Sequence, residues 1–154
     1  MAQNSTREPA QEESASLENR VVPDGIVAHR KALRALGGFV ALGVAMSVLI
    51  VGLGFLVLPG AVTGVLGFVL IVIALPTLPL FGVPAAGGFL IYAGGFITSA
   101  ALWWIAGHYA SLRASRRVIA SWPEWRGEFR PLAIGVVLGS LISLALAAVV
   151  LGVL

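Results

Sequence analysis

The sequence predicts an all-α membrane protein: a small bundle of about four transmembrane helices behind a short basic amphipathic helix. Three observations lead there. The 154 residues are 58% hydrophobic and only 11% charged, with a mean hydropathy of +0.98, where ordinary soluble domains carry about 25% charged residues. The ten Lys/Arg and seven Asp/Glu all fall within residues 1–34 and 113–130, so none lies between Arg34 and Arg113 or after Arg130. The charge-free stretches resolve into runs of about 22 residues, the length that crosses a hydrocarbon core of about 30 Å. A fold surrounded by water cannot cover itself with so little polar surface, whereas lipid requires none.

Residues 1–24 are Ser/Glu/Gln-rich, with two Arg against five acids and almost no large apolar side chain. Such a segment cannot bury enough surface to offset its ordering entropy, and it reads as a disordered polar tail ahead of a membrane domain at 25–154. The first apolar run is longer than the roughly 7–15 residues of a signal-peptide core and follows a long polar stretch, so it reads as a retained anchor. Over residues 24–36, Asp24 is placed to cap a helix. Ile26, His29, Leu33 and Leu36 share one face of it, and Arg30, Lys31 and Arg34 share another, positioned for anionic headgroups.

The first span is 37–58. Thirteen of its residues are Leu, Ile, Val or Phe, which at about −0.3 to −0.6 kcal/mol each favours insertion by several kcal/mol. Pro59-Gly60 ends it. The second segment, 61–82, is as apolar but carries Pro76 and Pro79, which remove two backbone donors; its helix is expected to run to about Leu75 and then break. The third, 85–107, has only seven Leu, Ile or Phe residues. Its many small residues, Gly94 and Gly95 among them, suit close packing and predict the central helix of the bundle. Trp103 and Trp104 are expected at headgroup level.

Residues 108–130 read as an interfacial basic loop holding Arg113, Arg116 and Arg117, with Trp122 and Trp125 also at the interface. The third helix is expected to continue to Pro123, Ser121 and Glu124 have capping-box spacing, and Pro131 suits the first turn of the next helix. The last span is 132–154. Gly135, Gly139, Ser143 and Ala147 follow at four-residue intervals along it, a small-residue stripe for close helix packing, with a partner in the same chain slightly favoured over a second subunit.

Four full crossings put the two basic clusters on opposite sides, against the positive-inside rule. A re-entrant segment at 61–84 removes the conflict by placing both in the cytoplasm. The two topologies stay open at this level, with four crossings somewhat ahead.

For function the sequence mainly excludes. There is no cysteine, and His29 and His108 are the only histidines, neither in a triad or metal arrangement. No catalytic, cofactor or metal residues are expected, and no enzyme. The net charge of +3 and the pI near 10.2 reflect arginines flanking spans and not nucleic-acid binding. Size and span count match the small multidrug exporters, but those depend on a glutamate embedded in the first helix, and 37–58 has none. The expected role is a non-catalytic accessory or scaffold subunit of the cell membrane, with membrane lipids and another membrane protein or a homo-oligomer as partners. The alternative is a small oligomeric channel, holin-like pore or carrier lined by Thr63, Thr77, Thr98, Ser99, Ser140 and Ser143.

Overall fold

Pro59-Gly60, Pro76 and the Gly87-Gly88 pair punctuate the chain, and the helices fall between them. The computed structural model describes residues 24–82 (side chains from Arg30), 87–116, 121–150 and 152. Its elements are α1 (Asp24–Val57), α2 (Ala61–Ala74), a 3-10 helix (Leu78–Phe81), α3 (Phe89–Ala114) and α4 (Trp122–Val150). The polar tail at 1–23, the side chain of His29 and Arg117 lie outside the described residues.

Nothing between Leu36 and Gly37 breaks a helix, so the basic amphipathic segment and the first apolar run form one 34-residue helix. Glycines at 60 and 88, with φ of 131° and 134°, precede α2 and α3 at turns that a side chain would strain. Three helices, α1, α3 and α4, contain stretches long and apolar enough to cross a membrane. The second of the four expected spans is different. With 14 residues, α2 covers about 21 Å, short of a hydrocarbon core of about 30 Å. Pro76 has no N–H for the Val72 carbonyl, and the Thr77 N–H turns to Ser99 Oγ at 3.2 Å instead of continuing the ladder.

The path of the chain follows from the contacts. Gly37 of α1 lies against Ser111 of α3, and a Cβ on Gly107 would meet Ala41 and the Gly37 carbonyl. The start of α1 therefore lies beside the end of α3, and the two helices are antiparallel. Gly52 and Gly67 bring α1 and α2 equally close: a Cβ on Gly67 would stand 2.8 Å from the Gly52 carbonyl and 2.9 Å from the Leu56 nitrogen. α2 thus climbs back along α1 as far as Ala74, whose carbonyl receives Trp103 Nε1 at 3.0 Å. The 3-10 helix then descends beside α3, with Leu78 on Gly95 and Phe81 on Gly94. α3 begins at the same end of the bundle where α2 began. The described residues 61–82 leave that end and turn back toward it at the level of Trp103. Ten residues of α3 separate Trp103 from Arg113, so the turn stops about 15 Å short of the basic end.

α4 closes the bundle over α3, α2 and the 3-10 helix. The core runs through Leu33, Ala41 and Ala45 of α1, Trp103, Ala106, Ala110 and Ala114 of α3, and Trp125 and Phe129 of α4. The centre is shared by α1 and α3, since each presents its small residues to the other. The stretch expected as a long interfacial loop is mostly helical. α3 ends at Ala114 and α4 starts at Trp122, directly after Ser121, whose carbonyl accepts the Trp125 N–H at 3.0 Å. Pro123 sits in the first turn of α4 rather than ending α3, and Pro131 lies inside α4 rather than at its start.

The close approaches carry a test. Gly67→Ala and Gly107→Ala each force a Cβ into backbone or a packed methyl, and should cost about 1–3 kcal/mol in reversible unfolding from mixed micelles. Gly64→Ala, where a Cβ meets nothing within 4 Å, should be neutral or stabilising by up to about 1 kcal/mol. Equal losses at all three positions would contradict this packing.

Candidate functional site

Two places gather polar chemistry in an otherwise apolar molecule: the tip of the α2 hairpin and the basic end of the bundle.

At the tip, the break after Ala74 brings Thr77 to Thr98 and Ser99, neighbours on α3. Thr77 Oγ1 lies 2.7 Å from both Thr98 Oγ1 and Ser99 Oγ and 2.9 Å from the Gly95 carbonyl. Thr98 donates to the Gly94 carbonyl at 2.8 Å, and Ser99 is fully buried. Gly95 permits the approach, because its missing side chain makes room for Leu78. One consistent arrangement has Thr77 donating to the Gly95 carbonyl and accepting from Ser99 and from Thr98, which shares its proton with the Gly94 carbonyl, while the Thr77 N–H donates to Ser99. Trp103 secures the last carbonyl of α2 beside it. The cluster anchors a reversed backbone against α3, with Ser99 buried, Thr77 half-buried and Thr98 exposed.

The other hydroxyls expected to line a pore do not join it. Thr63 donates to the Gly60 and Leu58 carbonyls in the turn before α2. Ser140 is buried and donates to the Val137 carbonyl of its own helix at 2.8 Å, and Ser143 is half-buried on α4. No continuous polar path links these groups among the described residues.

At the basic end, Arg34 Nε donates to Ser115 Oγ at 3.1 Å across 81 residues of sequence. That bond joins the cation cluster of α1 to the end of α3, where Arg113 pairs with Glu128 at 3.1 Å and Arg116 is exposed. Arg30, Lys31, Arg34, Arg113 and Arg116 therefore share one end of the molecule.

The tryptophans divide. Trp104 and Trp122 are partly exposed, and Trp104 stacks on His108 with centroids 5.0 Å apart. Trp103 and Trp125 are buried between helices and not on the outer surface. Trp125 Nε1 donates to the Gly107 carbonyl at 3.1 Å, and its ring stacks on Phe129 at 4.8 Å. Trp103 Nε1 thereby supplies a donor to the last carbonyl of α2, and Trp125 Nε1 adds to a Gly107 carbonyl that also accepts from Ser111 Oγ at 2.9 Å.

The small residues divide as well. Gly94 and Gly95 lie against the 3-10 helix. Around Gly135 and Gly139 a Cβ would meet nothing within 4 Å, so packing within the chain does not explain that pair. Ser143 and Ala147 are half-buried. A four-residue step turns a helix about 40° past a full revolution, so the stripe starts on the outer face of α4 and rotates toward the inner one.

No group of three or more His, Asp and Glu capable of holding a metal ion occurs among the described residues. No protein-family model matches the chain, and no curated protein or solved structure matches it.

Ser99→Ala removes the acceptor of the Thr77 N–H and should lower stability by about 1–3 kcal/mol. Thr98→Val, at an exposed position whose hydroxyl bonds mainly to its own helix, should cost under about 1 kcal/mol. Thermal unfolding in detergent, followed by circular dichroism, separates the two.

Proposed function

We propose that this chain is an integral multi-pass protein of the cell membrane and serves as a non-catalytic accessory or scaffold subunit. In this reading α1, α3 and α4 cross the bilayer, α2 and the 3-10 helix form a re-entrant hairpin, and both basic clusters face the cytoplasm. The outer face of α4 receives a helix of a partner membrane protein.

The observation that carries the role is the open face at Gly135 and Gly139. Elsewhere in the bundle paired glycines mark close helix contacts, as at Gly52 with Gly67 and around Gly37, Gly38 and Gly107. Gly135 and Gly139 offer the same close approach with no neighbour in the chain, between exposed Ile134, Leu138 and Ile142. The pore reading is weaker because Thr77, Ser99 and Ser140 face inward within a single chain and donate to its own groups. Large apolar side chains over the whole outer surface, such as Phe39, Ile50, Val62, Leu90, Ile97 and Leu146, support the bilayer setting. The common end of the two arginine clusters supports the three-crossing topology, since it meets the positive-inside rule without exception.

Topology is tested in a chain that carries no cysteine of its own. Ser5→Cys and Arg116→Cys should react with an impermeant maleimide from the same face of sealed vesicles, and Gly152→Cys from the other. Labelling of Ser5→Cys and Arg116→Cys from opposite faces would restore four crossings. For the role, the protein should co-purify in mild detergent with one membrane partner in fixed ratio. Gly139→Leu should abolish the association while leaving the thermal midpoint unchanged. A defined homo-oligomer that leaks small solutes from proteoliposomes would overturn the accessory role in favour of a pore.

A further inference from the structure

Two rows of residues run side by side down the exposed face of α4. Gly127, Pro131, Gly135 and Gly139 follow at four-residue intervals and are all exposed. A Cβ on any of these three glycines would meet nothing within 4 Å. Arg126, Arg130, Ile134 and Leu138 form the neighbouring row, also exposed. Rows at this spacing are the ridges and grooves by which helices pack. The first row is a shallow groove. The second is a ridge along its edge, apolar beside Gly135 and Gly139 and cationic above them.

The two arginines take no part in the chain's own electrostatics. Among the described residues, neither side chain has an ion pair or a hydrogen bond. No carboxylate stands three or four residues from either one. Glu124 and Glu128 each lie two residues from an arginine, about 200° round the helix, and Glu128 turns to Arg113 at 3.1 Å. Arg126 and Arg130 are themselves four residues apart, a spacing at which like charges repel.

An occupant of this face meets both rows at once. A helix backbone gains from the glycine groove, because it approaches most closely where side chains are absent. A phospholipid meets the arginines but makes little use of the groove. A second copy of the chain in the same bilayer runs in the same direction. A two-fold contact through this face would then set Arg126 and Arg130 beside their own counterparts. That repulsion selects against self-association and for a partner of opposite charge.

We propose that the partner on the outer face of α4 is a helix of a different membrane protein, with carboxylates at its cytoplasmic end. The carboxylates pair with Arg126 and Arg130, and a small-residue segment of the same helix seats on Gly135 and Gly139. Arg130 stands five residues from Gly135, about 8 Å along the axis, and Arg126 nine residues, about 14 Å. The partner's acids therefore lie one to three turns outside its close-contact residues. The inference rests on the partner face proposed above and adds the partner's charge, and the two can fail separately.

The full chain, with a donor dye at Gly152→Cys, is reconstituted in phosphatidylcholine vesicles with a synthetic, acceptor-labelled transmembrane helix. That helix carries a Gly-x-x-x-Gly pair and, five and nine residues beyond it, two glutamates, two glutamines or two lysines. Energy transfer should show the glutamate helix associating about tenfold or more tightly than the lysine helix. Arg126→Glu with Arg130→Glu should reverse that order, and reversal rather than loss separates charge pairing from damage to the fold. Gly139→Leu should abolish association of the glutamate helix.

Equal association of the three helices, abolished by Gly139→Leu, would overturn the charge pairing and leave the partner face standing. Association of none of them would remove the face and this inference together. Loss of the preference when phosphatidylglycerol is added would make a phospholipid the occupant. A preference that emerges only after Glu8→Gln, Glu12→Gln, Glu13→Gln and Glu18→Gln would give the arginines to the chain's own N-terminal acids. Energy transfer between two copies of the chain, abolished by Gly139→Leu, would make a second copy the occupant. Each of these three would overturn the proposal.

Discussion

A backbone that reverses direction inside an apolar bundle turns donors and acceptors toward its neighbours, and each one buried without a partner costs free energy. The chain meets this requirement at Thr77. Pro76 ends the ladder of α2, the Thr77 N–H passes to Ser99, and the Thr77 hydroxyl joins Thr98, Ser99 and the Gly95 carbonyl. Trp103 supplies the donor for the Ala74 carbonyl. Without these partners the turn after Ala74 would have no place in the interior. Residues 61–88 would then have to continue as a helix or leave the bundle, and the direction of α3 and α4 would change with them.

Close approach is the second condition, and glycine supplies it selectively. Hydroxyl bonds of 2.7–2.9 Å between Thr77 and α3 are possible because Gly95 lets Leu78 lie almost on the helix backbone. The same device brings α2 onto α1 at Gly52 and Gly67, and α1 onto α3 at Gly107. In the bilayer setting proposed above, apolar helices gain little from hydrophobic association, so contact area and satisfied polar groups have to hold the structure. Trp103 and Trp125 contribute both, with large buried rings and an N–H aimed at a carbonyl. Gly135 and Gly139 lack any such neighbour, and so the first half of the stripe on α4 faces outward.

The reversal also arranges the charges. Because the hairpin returns to the end it left, α3 runs back toward the start of α1. The cations around Arg34 and those around Arg113 then meet across the Arg34–Ser115 bond. One end of the molecule is basic and the other carries no charged residue among those described. In the bilayer setting proposed above, this polarity favours one orientation, with the basic end at the anionic cytoplasmic face.

Much of this was legible in the residues, and the limits have physical causes. Helical class, the three long apolar helices and the weakness at Pro76 and Pro79 follow from composition and from the loss of backbone donors, which are local properties. The merger of the basic segment with the first apolar run follows from the absence of any breaker between Leu36 and Gly37. What no local pattern reveals is which groups meet. Thr77, Thr98 and Ser99 are ordinary small polar residues until the turn after Ala74 sets the first beside the other two. Trp103 and Trp125 have the sequence context of interfacial tryptophans, and only the packing shows that both are buried, with their N–H groups aimed at the carbonyls of Ala74 and Gly107. The i, i+4 stripe on α4 records small side chains and not the direction they face. That direction depends on how α4 is rotated against its neighbours. The sequence by itself determined an apolar helical bundle with a broken second segment. Only the tertiary structure decided that the break turns the chain back, because a reversed backbone is stable only where distant residues supply its hydrogen bonds.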